Sequence, residues 1–468
     1  AYEMESRDWS SDVCSSYLFS PIIWVGKSLI ENYIPTSIDP KDPSKLDIGP
    51  VNTTVTTNPV DGVRLRASLQ TTANLNPHMF WRGYLAYGFR DQRWKGLGEV
   101  TYSFRRKAYL PMEFPVSNLT FTYSYDVSVP SDQYLTTDKD NVFMAFKWAD
   151  VKHMTYDRSF KLVYDQEWDY GLQWRAQLRH DMTEPTYKLF YQPVVNGIHY
   201  DAQGNYNPRP FGPGDGTSFS ARNRRYLRTT DFSVLLQYQP GVAYINTKQR
   251  RILVNKEAPI YRISHMAGLR GVWSDYTYNL TEVGVRKRVW LRSWGCMDFD
   301  FAAGAQWNRV PFPLLIMPRA NLAYVYDDDM YYLVDNMEFL NDRYAQLMFN
   351  WSMNGKIFNR IPLFNRLKWR EHVGFNILWG RLTDKNNPYL EKNKTRSDLY
   401  YFPGEFNPDG SFRQQSKVMD PQVPYVEAAF GIHNIFKLFH IDYVRRFTYL
   451  DDPRTTRWGI RFMARVIF

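Results

Sequence analysis

The sequence predicts an all-β protein: a transmembrane, antiparallel, up-and-down β-barrel of about sixteen strands. Three observations lead there. Aromatic residues make up 17% of the 468 positions, yet 23% are charged and the mean hydropathy is −0.50. From about residue 61 onward, apolar and polar residues alternate with period two, so each segment has one apolar and one polar face. The longest connections between these segments all follow odd-numbered strands, which places them at one end of a meander. No stretch approaches the ~18–20 uncharged apolar residues of a spanning helix; the longest, 311–318 and 17–26, stop short. Disorder is excluded by the apolar and aromatic content. A pair of β-sandwiches would use shorter strands, about 5–6 residues each, and would not line up long amphipathic ones.

Residues 1–18 read AYEMESRDWSSDVCSSYL and share no periodicity with the rest. They lack the basic, apolar and cleavage regions of a signal peptide. RDWSSDVCSSYL resembles translated sequencing-adapter DNA, so this segment is expected to be foreign to the natural protein, which would then extend further upstream. Without it Cys14 is lost, and with four acids (Glu3, Glu5, Asp8, Asp12) and Arg7 removed the net charge of +10 becomes +13. Residues 19–60 are expected to form a periplasmic linker or entry segment, and 61–468 the barrel.

Strands are expected near 61–75, 79–91, 94–107, 116–129, 140–150, 156–168, 171–183 and 229–241. The second half supplies 258–272, 276–292, 295–308, 343–354, 370–383, 424–434, 438–448 and 456–468. The first shows the logic: Val63, Leu65, Ala67 and Leu69 share one face, and Arg64, Arg66, Ser68 and Gln70 the other. Long loops are expected near 184–228, 309–342 and 384–423, outside the cell, with both termini in the periplasm. The connection 355–370, GKIFNRIPLFNRLKWR, mixes Ile, Leu, Phe and Trp with Lys and Arg, which suits the lipid headgroup level.

The chain's chemistry is sparse. It holds no HExxH, P-loop, GxSxG or paired-cysteine metal motif. Two cysteines, Cys14 and Cys296, make no disulfide framework. His433 and His440 have opposite parity along the chain, so within one strand they share no face; no catalytic residue, metal or cofactor is expected. Asp327, Asp328 and Asp329 read as a solvated acidic loop in preference to a Ca²⁺ site. The basic residues are spread through the alternating pattern with no basic run or stripe, which argues against nucleic acid. Arg64, Arg66, Arg175, Arg179, Asp298, Asp300, Arg461 and Arg465 are expected to face the lumen. Their mixed signs favour ion pairs over a single-sign pore. Arginines of the first and last strands are expected to meet at the closing seam.

At the end of the chain, Trp458, Ile460, Phe462, Val466 and Phe468 share one face, and the sequence stops on an aromatic. This resembles the C-terminal signal by which barrel-assembly machinery recognises Gram-negative outer-membrane barrels. Seven runs resemble a Gram-negative outer-membrane family known only as a domain of unknown function, often with an upstream carboxypeptidase-regulatory-like domain. They are GPVNTTVTTNPVDGVRLR (49–66), TTDKDNVFMAFKW (136–148), NTKQRR (246–251), QWNRVPFPLLIMP (306–318), MEFLNDRYA (337–345), NGKIFNRIPLFNRLKWRE (354–371) and GIHNIFKLFHIDYVRRF (431–447). More distantly, the last five strands resemble the surface-antigen superfamily of BamA- and TamA-like assembly factors and two-partner secretion transporters. That resemblance implies an Arg-Gly-Phe loop tip folded into the lumen. Here Met337, Glu338 and Phe339 stand at the comparable place, and only the Phe matches.

Together these readings imply a non-enzymatic outer-membrane barrel of a Gram-negative bacterium, working in envelope biogenesis or in translocation of a large substrate. The alternatives are a solute channel or receptor with a loop lid, and a structural subunit of a larger outer-membrane complex. The expected partners are outer-membrane lipid, the assembly machinery during biogenesis, and other outer-membrane proteins.

Overall fold

The computed structural model describes residues 32–37, 42–132, 153–186, 189, 191–194, 226–249, 251–321, 329–406 and 412–464. The foreign-looking segment 1–18, the expected strand 140–150, most of the loop 184–228, and Arg465, Val466 and Phe468 lie outside the described residues. The described chain runs through β1 (Ile34–Pro35), β2 (Leu46–Ile48), β3 (Val55–Asn58), β4 (Gly62–Thr71), β5 (Met79–Gly88), β6 (Trp94–Ser103), β7 (Ser117–Ser128), β8 (Thr155–Glu167), β9 (Leu172–Pro185) and β10 (Leu227–Tyr238). A small hairpin, β11 (Tyr244–Asn246) and β12 (Arg251–Leu253), precedes β13 (Ile260–Gly268), β14 (Asn279–Trp290), β15 (Cys296–Gln306), β16 (Arg343–Ser352) and β17 (Arg370–Arg381). A second hairpin, β18 (Gly404–Phe406) and β19 (Phe412–Gln414), precedes β20 (Tyr425–Ile435), β21 (Phe439–Arg446) and β22 (Trp458–Ala464). Apart from the two hairpins, these strands form one antiparallel sheet of eighteen.

Burial follows the alternation and inverts the usual order of a soluble protein. In β4, Val63, Leu65 and Leu69 are exposed while Arg64 and Gln70 are buried. In β21, Ile441 and Tyr443 are exposed while His440, Asp442 and Arg446 are buried. An exposed apolar face this continuous has a stable solvent only in lipid, and the polar face turns inward.

The strand count is reached by a different route from the expected one. β7 pairs with β8 residue for residue, from Ser117↔Gln166 to Ser128↔Thr155. β7 and β8 are thus direct neighbours. A further place in the sheet is filled upstream. β2 and β3 lie end to end along the free edge of β4, with Leu46↔Thr71 and Val55↔Leu65 in register. Pro50 and the turn Val51–Thr53 interrupt them, since proline has no N–H for a ladder. The paired sheet therefore reaches back beyond the expected boundary at residue 61. Counted this way, the interrupted strand and the fifteen long ones make sixteen among the described residues.

The connections 129–154, 186–226, 307–342 and 382–424 all emerge at one end, the long-loop end. At the other, short-turn end lie 239–259, which carries the β11–β12 hairpin, and 353–369, which carries the single helical turn α1 (Pro362–Leu367). The apolar clusters are built mainly from the long loops and set inside the mouth. One joins Val127, Met154 and Tyr156 to Tyr331, Phe339, Leu378 and Tyr425; another joins Tyr191 and Tyr276 to Phe312, Leu340 and Tyr400. One loop thus touches walls as far apart as β7 and β20, so the sheet wraps around it. Among the described residues no ladder joins β22 to β2 or β3, and β1 pairs with β2 on the edge where a closing strand would lie.

Candidate functional site: a lumen plugged from one side

Three inward residues of the last strands hold the 307–342 loop. Glu427, on β20, accepts the backbone N–H groups of Tyr332 at 2.7 Å and Leu333 at 3.0 Å. Asn376 Nδ2 and the Tyr425 hydroxyl also donate to it, at 2.9 and 2.8 Å. Arg461, on β22, donates from Nε to the Tyr332 carbonyl at 3.2 Å. Arg446, on β21, grips the Glu338 carboxylate with both terminal nitrogens, at 3.0 and 2.7 Å. Both side chains of that pair are buried. Two parallel N–H···O bonds make this the strong geometry for an Arg–carboxylate pair. Removing one partner of such a buried pair costs about 3–5 kcal/mol, because the other charge stays uncompensated.

The tip residues divide the work. Met337 takes a left-handed backbone conformation, φ 59°, which turns the chain back. Phe339 is fully buried between the Tyr425 and Tyr449 rings, with centroids at 5.7 and 5.1 Å. The Arg446 guanidinium lies 4.8 Å from the Tyr425 ring centre, a cation–π contact. The loop therefore presents an acid, Glu338, to an arginine of the wall, Arg446. Beside it, burial and the neighbouring Glu338 push the Asp335 carboxyl up to about 6.

Other inward charges pair with one another, several of them directly across the register. Arg175 meets Asp165 at 2.6 Å, and Arg179 meets Asp231 at 3.0 Å and Asp181 at 3.2 Å. Arg286 meets Asp300 at 2.5 Å, and Arg288 meets Asp298 at 2.7 Å. Arg286 also meets Asp329 of the loop at 2.5 Å. Asp329 is thus an ion-pair partner whose side chain stays 39% exposed; Asp327 and Asp328 lie outside the described residues. Arg64 bridges to Asp126 at 2.6 Å and Asp61 at 3.2 Å, and Asp61 holds Lys95 at 2.5 Å. Arg66 lies over the Tyr84 ring, 3.7 Å from its centre. Arg64 sits one strand away from the open edge, so arginines of β4 and β22 do not meet at a seam; the N-terminal strand comes between. A polar cavity of about 490 Å³ remains, lined by Lys161, Arg175, Arg179, Asp181 and Thr229 among others.

At the short-turn end the β11–β12 hairpin reaches over the opening. Arg251 pairs with Glu167 at 2.5 Å. Gln249 donates to Asp47 at 2.7 Å and accepts from Gln70 at 2.9 Å. The 353–369 connection leaves Ile357, Ile361, Leu363 and Leu367 exposed beside its basic residues. Trp458, Ile460 and Phe462 are exposed on the outer face of β22.

Sequence reasoning missed Glu427, Arg446, the hairpin and one histidine cluster. His433 and His440 lie on two strands, β20 and β21, and a register irregularity between Ile432 and Ile435 resets the facing. Both rings lie in the lumen, 4.5 Å apart. A facing test across the 436–438 turn would have found them.

A sequence profile described as "Family of unknown function (DUF5686) C-terminal domain" matches residues 35–393. Among solved structures, BamA from Haemophilus ducreyi lacking POTRA domains 1–3 is 11% identical, with a TM-score of 0.47, over 87% of this chain and 68% of its own. CdiB from Acinetobacter baumannii is 10% identical, with a TM-score of 0.41, over 87% of this chain and 57% of its own. OprB from Pseudomonas putida at high pH is 9% identical, with a TM-score of 0.35, over 90% of each chain. No curated protein matches the sequence.

Proposed function

We propose that this chain, which belongs to the family of unknown function DUF5686 through its C-terminal domain, is a non-enzymatic outer-membrane barrel that serves envelope biogenesis or the translocation of a large substrate. Its long-loop end faces outward and its termini face the periplasm. Outer-membrane lipid covers the apolar face, and the assembly machinery receives the strand that ends on Trp458, Ile460, Phe462, Val466 and Phe468. The carrying observation is the occupied lumen. A loop gripped by Glu427, Arg446 and Arg461, against walls whose charges pair with each other, supports a substrate path along the unladdered edge between β22 and β3 over a path through the middle.

The decisive measurement is conductance of the purified chain in liposomes. The expected outcome is no steady solute-selective pore; such a pore overturns the proposal in favour of a channel or receptor. The cavity of about 490 Å³ beside Arg175 and Arg179 is what favours that second reading. Paired cysteines between β3 and β22 then test the edge: oxidation is expected to abolish function in a depletion strain, and full function while locked excludes lateral opening.

A further inference from the structure

Three neighbouring strands bring a set of metal-ligating side chains together inside the wall. His372 on β17, Gly431 on β20 and Asp442 on β21 form one row across the sheet. Strands lie about 4.8 Å apart, so His372 and Asp442 start roughly 10 Å from each other. They meet because the middle position is glycine: a Cβ at Gly431 would lie 1.8 Å from Asp442 Oδ1. Over that gap His372 Nδ1 comes within 2.8 Å of Asp442 Oδ1. His433, two residues along β20 on the same face, brings Nε2 to 3.1 and 3.2 Å from the two carboxylate oxygens. The two imidazoles stack at 4.1 Å with an interplanar angle of 16°, and His440 closes the side edge-on. All four side chains are buried.

We propose that His372, His433 and Asp442 bind a divalent transition-metal ion of the zinc type, stapling β17, β20 and β21 together. Two neutral imidazoles and one carboxylate are the donor set such an ion prefers. With bonds of about 2.1 Å, a tetrahedral ion separates its ligand atoms by about 3.4 Å. The three donor atoms here already lie within 4.8 Å of one another, so changes in their separations of up to about 1.4 Å, within the reach of side-chain rotation, complete the geometry. Arg461 stands opposite Asp442 in register, but it sends its guanidinium to the Tyr332 carbonyl. The competing arrangement is metal-free, with Asp442 accepting an N–H from each ring. Because none of the three ligands itself holds the loop, the site stands or falls apart from the transport reading.

The test uses the full chain in detergent, stripped by chelator, dialysed against Zn²⁺ and assayed for bound metal. The expected result is about one ion per chain, falling below about a tenth of an ion in His433→Ala and Asp442→Asn. Wild-type protein that retains no more zinc than those variants overturns the proposal. Co²⁺ replaces Zn²⁺ as a probe in wild-type protein alone, so the result does not depend on a variant folding. Visible absorption of a tetrahedral N/O site supports the proposal, and the spectrum of hydrated Co²⁺ refutes it.

Discussion

The wall of β7–β10 and the wall of β20–β22 are written in the same alternating code, yet they handle charge differently. In the first, Arg175 meets Asp165, and Arg179 meets Asp181 and Asp231, all on the same or the adjoining strand. A polar cavity lies before that wall. In the second, Glu427, Arg446 and Arg461 spend their hydrogen bonds on a loop far away in sequence. In the one, Arg175 and Arg179 find their acids within the sheet; in the other, three inward groups reach for the plug. Inward charge is therefore not one feature but two, and only the choice of partner separates them.

Breaking the second wall gives the largest expected effect. Arg446→Ala leaves Glu338 buried and unpaired, at a cost of about 3–5 kcal/mol. The loop is expected to leave its seat, read as new protease cleavage near 329–342 and a lowered temperature of heat-modified gel migration. Exchanging the pair, Glu338→Arg with Arg446→Glu, is expected to recover part of the loss. An Arg446→Ala barrel as stable and protected as wild type would erase the contrast between the walls.

A smaller effect concerns pH. In the folded protein the Asp335 carboxyl is raised to about 6 from an unfolded value near 3.8. A raised carboxyl binds its proton more tightly when folded, so its stabilising contribution is complete below the unfolded value and is lost as pH rises through about 6. Loop protection is expected to weaken between about pH 4 and 6, by on the order of 1 kcal/mol for this partly buried group. Asp335→Asn is expected to flatten that dependence in hydrogen-exchange measurements; an unchanged profile would assign it elsewhere.

The smallest effect belongs to the first wall. The Arg175 side chain is 41% exposed, so Arg175→Ala is expected to cost under about 1 kcal/mol and to leave the loop protected. Loop release in this variant would mean that the two walls are coupled.

Much of the barrel was legible because a lipid-facing strand must alternate. Val63, Leu65 and Leu69 against Arg64, Arg66 and Gln70 admit one orientation, and a one-residue slip would put arginine into lipid. β2 and β3 were passed over because each is short and Pro50 divides them. The loop tip was legible as a place, through Met337, Glu338 and Phe339, but not as a contact. Arg446 lies 108 positions from Glu338, and no local pattern joins them.

By itself, then, the sequence determined the class of protein, the facing of the long strands and the end at which the long loops emerge. Those follow from period-two alternation and from connection length, which are local properties read against a two-solvent environment. Only the tertiary structure decided that the first strand is an interrupted one, that the plug is held with an acid on the loop and an arginine on the wall, and that His372, His433 and Asp442 meet over Gly431. Each depends on which strands become neighbours and on how far a side chain reaches across the lumen. Those are distances in space that separation along the chain does not encode.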